Sequence, residues 1–340
     1  MKKNMVTVGI VAIGASLFAG TAFAGQTLDA IKKNDYVRCG VNTGLGGFSI
    51  PDSSGKWKGL DVDICHTFAA AVLGDAEKVK FVPLSSEQRF TALQSGEIDV
   101  LSRDTTWTIT REGELGALFG PVTYYDGQGF MVPTKLGVKS VKELNGATIC
   151  VQPGTTTEMN LSDYFRGNDM KYTPVVIDNL AQVNAAFFSG RCDVYTDDAS
   201  SLAAIRAAAP NGDDYVVLPE RISKEPLAPA VRQGDDEWFN IVRWSVFATI
   251  QAEEWGITSE NVDTFKDTKN PDIQRFLGLG SGVGKSLHLD DKWAYNIIKQ
   301  VGNYGDIYDR NVGVKTPLKL ERGLNALWSK GGLMYSAPAR

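Results

Sequence analysis

The sequence predicts an α/β protein built as two similar lobes. The first observation behind that is an internal repeat. RFTALQSGEIDVLSRDTT (89–106) and VNAAFFSGRCDVYTDDAS (183–200) both run amphipathic helix, Ser-Gly, one charged residue, one apolar residue, Asp-Val, then polar groups. Aligned on Gly96 and Gly190, Asp99 matches Asp193, Val100 matches Val194, and Asp197-Asp198 falls near Arg103-Asp104. Two such units roughly a hundred residues apart point to two α/β lobes rather than one long sheet. The second observation is length. Without a 24-residue leader about 316 residues remain, more than a single core usually serves.

The elements follow in chain order. Lys2-Lys3, an apolar run from Val6 to Phe18, and Ala22-Phe23-Ala24 read as a secretory signal peptide cleaved after Ala24. No later stretch is long and apolar enough to span a bilayer. YVRCGV is a first strand, and a helix follows WKGLDVDIC. Glu97 to Leu101 reads as a strand because Ile98, Val100 and Leu101 are apolar and Ser95-Gly96 ends the helix before it. Asp104, Thr105 and Thr106 then sit where that strand runs out, and Thr108 or Thr110 caps a helix opening near Arg111. A guanidinium fork with neighbouring hydroxyls suits a carboxylate, so this segment reads as half of a small-anion site. Ala147 to Val151 is a further strand. Beyond Gly154, Thr155 and Glu158 have the spacing of a capping box, and the free N–H groups of that helix start, with the Thr156 and Thr157 hydroxyls, make a second anion seat. Trp238, Trp244 and Trp255 read as core.

Several classes are excluded. The net charge is −5, and loss of Lys2 and Lys3 with the leader takes it to −7, with no basic run for nucleic acid. GLGSGVGKS (278–286) has Leu279 where a phosphate-binding loop needs its first glycine, and a helix-like NPDIQRFL precedes it, so it reads as a flexible surface loop. His66 and His288 stand in neither metal spacing nor a Ser-His-Asp arrangement. No cofactor is expected.

Four cysteines in an exported chain read as two disulfides, for which three pairings exist. Cys39 lies in the first strand, Cys65 on the next helix, Cys150 in the ATICV strand and Cys192 in the strand of the second repeat unit. Pairing Cys39 with Cys65 and Cys150 with Cys192 keeps each bridge inside one lobe and leaves the lobes free to move. Each closed loop is worth about 3 to 4 kcal/mol in the chain-entropy model.

The segments RCGVNTGLGGFS, GKWKGLDVDIC, QRFTALQSGEIDVLSRDTTWTITRE, YYDGQGFMV, ATICVQPGTTTE, GRCDVYTDDAS, ISKEPLAPAVRQGDDEWF, AYNIIKQVGNYGDIYDRNVG and GLNALWSKGGLMY carry a resemblance over nearly the whole mature chain. It resembles the periplasmic solute-binding proteins of polar amino-acid ABC importers, and specifically the general L-amino-acid branch. The resemblance implies the two-lobed periplasmic-binding-protein fold of type II topology, with a ligand cleft between the lobes. It implies that Arg111 holds the α-carboxylate with Thr106 assisting, that Gly154-Thr155-Thr156 donates to the same carboxylate, and that Asp198 takes the α-ammonium. Leu45 stands where many relatives stack an aromatic ring, with Phe48 three residues on, and charged Arg103 and Asp104 replace small polar residues. A pocket tolerant of several side chains is therefore expected.

By the same resemblance, one lobe takes 26–126 and 230–340 and the other 127–229, with crossings at Tyr124-Tyr125-Asp126 and Ala230-Val231-Arg232. The expected partners are L-amino acids and the membrane permease subunits of an ABC importer, with the protein a monomer in the periplasm. Closure driven by differential affinity is the expected mechanism. Two rival readings are an exported enzyme like the cyclohexadienyl dehydratases, which would turn its ligand over, and a sensing module, which would continue into a membrane span.

Overall fold

The computed structural model describes residues 25–340, so the leader and its cleavage site lie outside the described residues. Two five-stranded sheets form the centres of two lobes, and they share one strand order. In the first, Val37–Val41 lies second from the edge, flanked in parallel by Val79–Pro83 and Val100–Leu101, and then Ala230–Arg232 and Ala117–Phe119 complete the sheet. In the second, Thr148–Val151 takes the equivalent place, with Thr173–Val176 and Val194–Asp198 parallel to it, followed by Gln128–Pro133 and Tyr215–Val217.

The internal repeat has a mechanical meaning. The Asp99 carboxylate accepts from the Arg38 backbone N–H at 2.8 Å while the Asp99 N–H donates to the Arg38 carbonyl. Asp193 does the same with Thr148, at 2.9 Å for both bonds. Each repeated aspartate thus staples the start of the parallel strand beside its own, and the polar residues that follow are delivered to that strand's other end. Open α/β sheets bind ligands at that end.

The strand expected over Glu97–Leu101 forms its ladder only at Val100–Leu101, because the Glu97 and Ile98 N–H groups still turn back to the Ala92 carbonyl, closing the helix Gln88–Ser95. Gly59 explains the WKGLD motif. It has φ 135°, and a Cβ there would lie 2.0 Å from the Phe48 carbonyl oxygen, so no side chain fits where the helix Leu60–Leu73 begins. The loop 278–286 is tighter than expected: at Gly284 a Cβ would fall 2.3 Å from the Asp290 carbonyl oxygen, and at Gly278 2.3 Å from that of Asp291, so these two glycines serve close packing.

The lobes are joined by a ribbon in which Tyr124–Asp126 pairs antiparallel with Glu225–Leu227. The return strand therefore comes earlier than the expected Ala230–Arg232, which lies inside the first sheet because its N–H and C=O groups are taken by Leu101 and by the 117–119 strand. Beyond the ribbon, helix Asp236–Glu254 and helices Trp293–Gln300 and Tyr304–Asn311 pack on helix Leu60–Leu73 of the first lobe. The last segment reaches back to the ribbon. Asn325 accepts from the Tyr125 N–H at 2.7 Å and donates to the Tyr125 carbonyl at 3.2 Å, while the Tyr304 hydroxyl donates to the Thr123 carbonyl at 2.7 Å.

Both disulfides join the expected partners, Cys39 with Cys65 and Cys150 with Cys192, with Cα atoms 6.2 and 5.6 Å apart. Cys192 sits two residues before its strand rather than in it.

Candidate functional site

Arg111 is positioned by a cap. Thr108 accepts from the Arg111 N–H at 3.2 Å and opens the short helix Ile109–Gly113, which turns the side chain inward until it is 5% exposed. Its Nη1 donates to the Thr106 carbonyl at 2.7 Å and its Cζ stands 5.2 Å from the Phe90 ring centroid. Its Nη2 is buried with no hydrogen-bond partner among the described residues. Burial lowers the pKa of Arg111 to about 10, which leaves it charged at neutral pH.

Asp198, from the other lobe, ends the strand Val194–Asp198 and precedes the helix Ala199–Ala208. It is 4% exposed, and its Oδ1 has no partner among the described residues. Burial, then the neighbouring carboxylates Asp126 and Asp197, push its pKa well above the usual carboxylate range. Asp197 is pushed up to about 7 by burial and by Asp104 across the cleft. A cluster of carboxylates this poorly compensated favours a cation from outside.

Asp104 is held in a left-handed conformation, φ 36°, by a bond from its N–H to the Asp61 carboxylate at 2.9 Å. Asp61 itself is buried, and burial with the Asp104 charge raises its pKa to about 8. The Asp104 carboxylate accepts from Asn42 at 3.2 Å and lies 3.7 Å from Arg103.

Thr155 caps the helix Thr156–Gly167, accepting from the Glu158 N–H at 3.1 Å. Glu158 reaches back to the Gly154 N–H rather than to the cap residue's own, so the box closes one residue early. Gln128, fully buried, donates to the Thr157 carbonyl and the Thr196 hydroxyl, fixing this helix against the strand that carries Asp198.

Asp104, Thr106 and Arg111 from one lobe, with Thr155, Thr156 and Asp198 from the other, line one cavity between the lobes. Leu45 and Phe48 do not line it. Both are core residues, with Phe48 packed edge-on against Tyr124 of the ribbon at 5.5 Å.

Sequence reasoning missed Glu225. From the ribbon it accepts from Thr106 at 2.6 Å and Thr156 at 2.8 Å on one oxygen, and from Asn160 and Ser223 on the other. The two threonine hydroxyls expected to face a ligand carboxylate are committed to Glu225 here, and they stand 3.3 Å apart, so the lobes meet. Nothing in the pattern ISKEPLAP marks that role, which depends on strand pairing a hundred residues apart. Glu225→Ala should strip the acceptor from four donors and lower unfolding free energy by about 1–3 kcal/mol. A denaturant midpoint equal to the parent's would show that the bonds contribute nothing net.

With this geometry in place, comparison with known proteins is decisive. The family model for bacterial extracellular solute-binding proteins, family 3, matches residues 37–260. The chain belongs to that family. This solute-binding protein is 59% identical, over the full length of both chains, to the general L-amino acid-binding periplasmic protein AapJ of Rhizobium johnstonii. It is 54% identical over the full length of both to the glutamate/glutamine/aspartate/asparagine-binding protein BztA of Rhodobacter capsulatus. Among solved structures it superposes with TM-score 0.91 on an ABC transporter periplasmic binding protein from Brucella ovis with glutathione bound. That pair is 54% identical, and the match covers 92% of this chain and 99% of the other. The shared strand order of the two sheets is what a solute-binding protein uses to set two equivalent strand ends against each other across one cleft.

Proposed function

We propose that this solute-binding protein is the periplasmic amino-acid-binding component of an ABC importer, acting as a monomer, without catalysis and with its leader removed after Ala24. The observation that carries the reading is a pair of buried, unpartnered atoms of opposite charge on opposite lobes, Arg111 Nη2 and Asp198 Oδ1. An amino-acid zwitterion supplies the two missing partners at once. The α-carboxylate takes the guanidinium of Arg111, with the Thr155-Thr156 helix start beside it, and the α-ammonium takes Asp198, with Asp104 near. Both bonds form only with the cleft shut, so ligand affinity and closure are one free-energy quantity. The closed form is what the permease engages.

Mass spectrometry of ligand released from purified protein, followed by a thermal-shift series over the amino acids, tests this. Return of an unchanged amino acid supports a binding protein, whereas chemical turnover would support an enzyme. Glutathione belongs in the same series as a second reading, because the Brucella ovis relative holds it. Its γ-glutamyl end carries the same free ammonium and α-carboxylate.

The proton balance at Asp198 gives a signed prediction. Its pKa is raised in the ligand-free protein, and an ammonium beside it lowers that pKa, so binding releases a proton wherever the free carboxyl is protonated. Affinity should therefore fall as pH drops below the raised pKa of the free protein and level off above it. Calorimetry in buffers of different ionisation enthalpy reads the released proton. Proton uptake on binding would contradict the assignment of the ammonium to Asp198.

A further inference from the structure

Glu225 joins the two lobes from the ribbon. Its side chain is buried, and one carboxylate oxygen collects the Thr106 hydroxyl of the first lobe and the Thr156 hydroxyl of the second. The other oxygen accepts from Asn160, on the helix that Thr156 opens, and from Ser223. Thr106 is laced to the ribbon by its main chain: it bridges to Leu227, and the Trp107 N–H donates to the Pro226 carbonyl at 2.9 Å. A cleft that opens carries the helix Thr156–Gly167 away from this post, so Glu225 must release either Thr106 or both Thr156 and Asn160. Arg89 adds a second direct bond across the cleft, from its Nη2 to the Gly154 carbonyl at 3.2 Å. A threonine hydroxyl has one proton to donate. While Thr106 and Thr156 give theirs to Glu225, a ligand carboxylate is left with the Arg111 guanidinium and the N–H groups of the helix start.

Resting on the amino-acid reading above, we propose that Glu225 is a latch built into the ribbon, which holds the cleft shut with the protein's own bonds and withholds both threonine hydroxyls from the ligand. The apparent affinity for any amino acid is then scaled by the fraction of molecules that the latch already holds shut, whatever the side chain. Latch and ligand act on the same equilibrium in the same direction.

Spin-label distances between one exposed site per lobe, Glu114→Cys and Ser162→Cys, test this on protein stripped of ligand by unfolding and refolding with both disulfides intact. Melting curves verify folding. The ligand-free parent should populate both an open and a shut distance, and saturating L-alanine should leave only the shut one. Glu225→Ala should lower the ligand-free shut-to-open ratio about tenfold or more, the factor typical of one hydrogen bond to a charged group. Thr106→Val, which leaves the Glu225 charge near Arg111 in place, should lower it in the same direction, and Glu225→Gln, which keeps an acceptor, should fall between parent and Glu225→Ala. In Thr106→Val, L-alanine and L-glutamate should lose affinity by one common factor, matching the fall in the shut fraction. A ligand-free parent found only at the open distance would overturn the latch, as would a ratio that neither Glu225→Ala nor Thr106→Val moves. So would weaker binding by Thr106→Val at an unchanged ratio, which would return that hydroxyl to the ligand carboxylate. Failure of the parent to bind either amino acid would instead remove the amino-acid reading, while the ligand-free ratio would still read the latch.

Discussion

Replacing Arg111 with alanine is expected to weaken every amino-acid ligand by about 2 kcal/mol or more, whatever its side chain, because a charge-assisted bond to the α-carboxylate disappears and that carboxylate stays buried. Arg111 is well placed for this test. Its backbone is fixed by the Thr108 cap, which the substitution leaves in place, so the loss reports the guanidinium rather than a melted turn. Asp198→Ala should act symmetrically on the ammonium, and it should also relieve the crowding among Asp126, Asp197 and Asp198, giving a protein no less stable but poor at binding. Neither an amino-acid amide nor an N-acetyl amino acid should bind the parent detectably. Calorimetry showing parent-like affinity in Arg111→Ala would sink the carboxylate assignment, while leaving the family and fold untouched.

Reduction of the two disulfides is the other large effect. The bridges close loops with sequence separations of 26 and 42, which the chain-entropy model values at about 3.5 and about 4 kcal/mol. The Cys39–Cys65 bridge ties the strand Val37–Val41 to the helix Leu60–Leu73, and Cys150–Cys192 ties the strand Thr148–Val151 to the turn before its neighbour Val194–Asp198. Neither crosses the ribbon. Reduced protein should therefore melt well below the oxidised form yet rank its ligands in the same order, as read by thermal unfolding with and without reductant. A changed ranking would mean that the bridges shape the cleft as well as the lobes.

The repeat made the two lobes legible because its residues have local jobs: Gly96 ends a helix, and Asp99 and Asp193 cap neighbouring strands. The Thr155 cap was legible because its spacing sits in one short segment; Arg111 was singled out by its setting among hydroxyls and Asp198 through the family resemblance, and both line the cleft. Other residues escaped, for a physical reason. Glu225 gains its role from a ribbon partner and from two threonines on different lobes, and Arg89 reads as an ordinary charge on an amphipathic helix until tertiary packing buries it. The return crossing, placed through the family resemblance at Ala230–Arg232, falls at Glu225–Leu227, because only strand pairing separates the ribbon strand from the sheet strand that follows it. Leu45 and Phe48 keep the residue spacing of a ligand platform but turn into the core.

The bonds between Asn325 and Tyr125 locate the pivot. Tyr125 pairs with Pro226 along one edge of its strand, and on the other edge both its main-chain polar groups are taken by Asn325. With Tyr124 stacked parallel to Tyr308, the ribbon's first two residues are clamped to the C-terminal segment of the first lobe. Torsional change on this strand is thereby displaced past Tyr125, toward Asp126 and Gly127. If the far lobe turns on the near one, it turns about that point, with the first half of the ribbon held by the C-terminal segment.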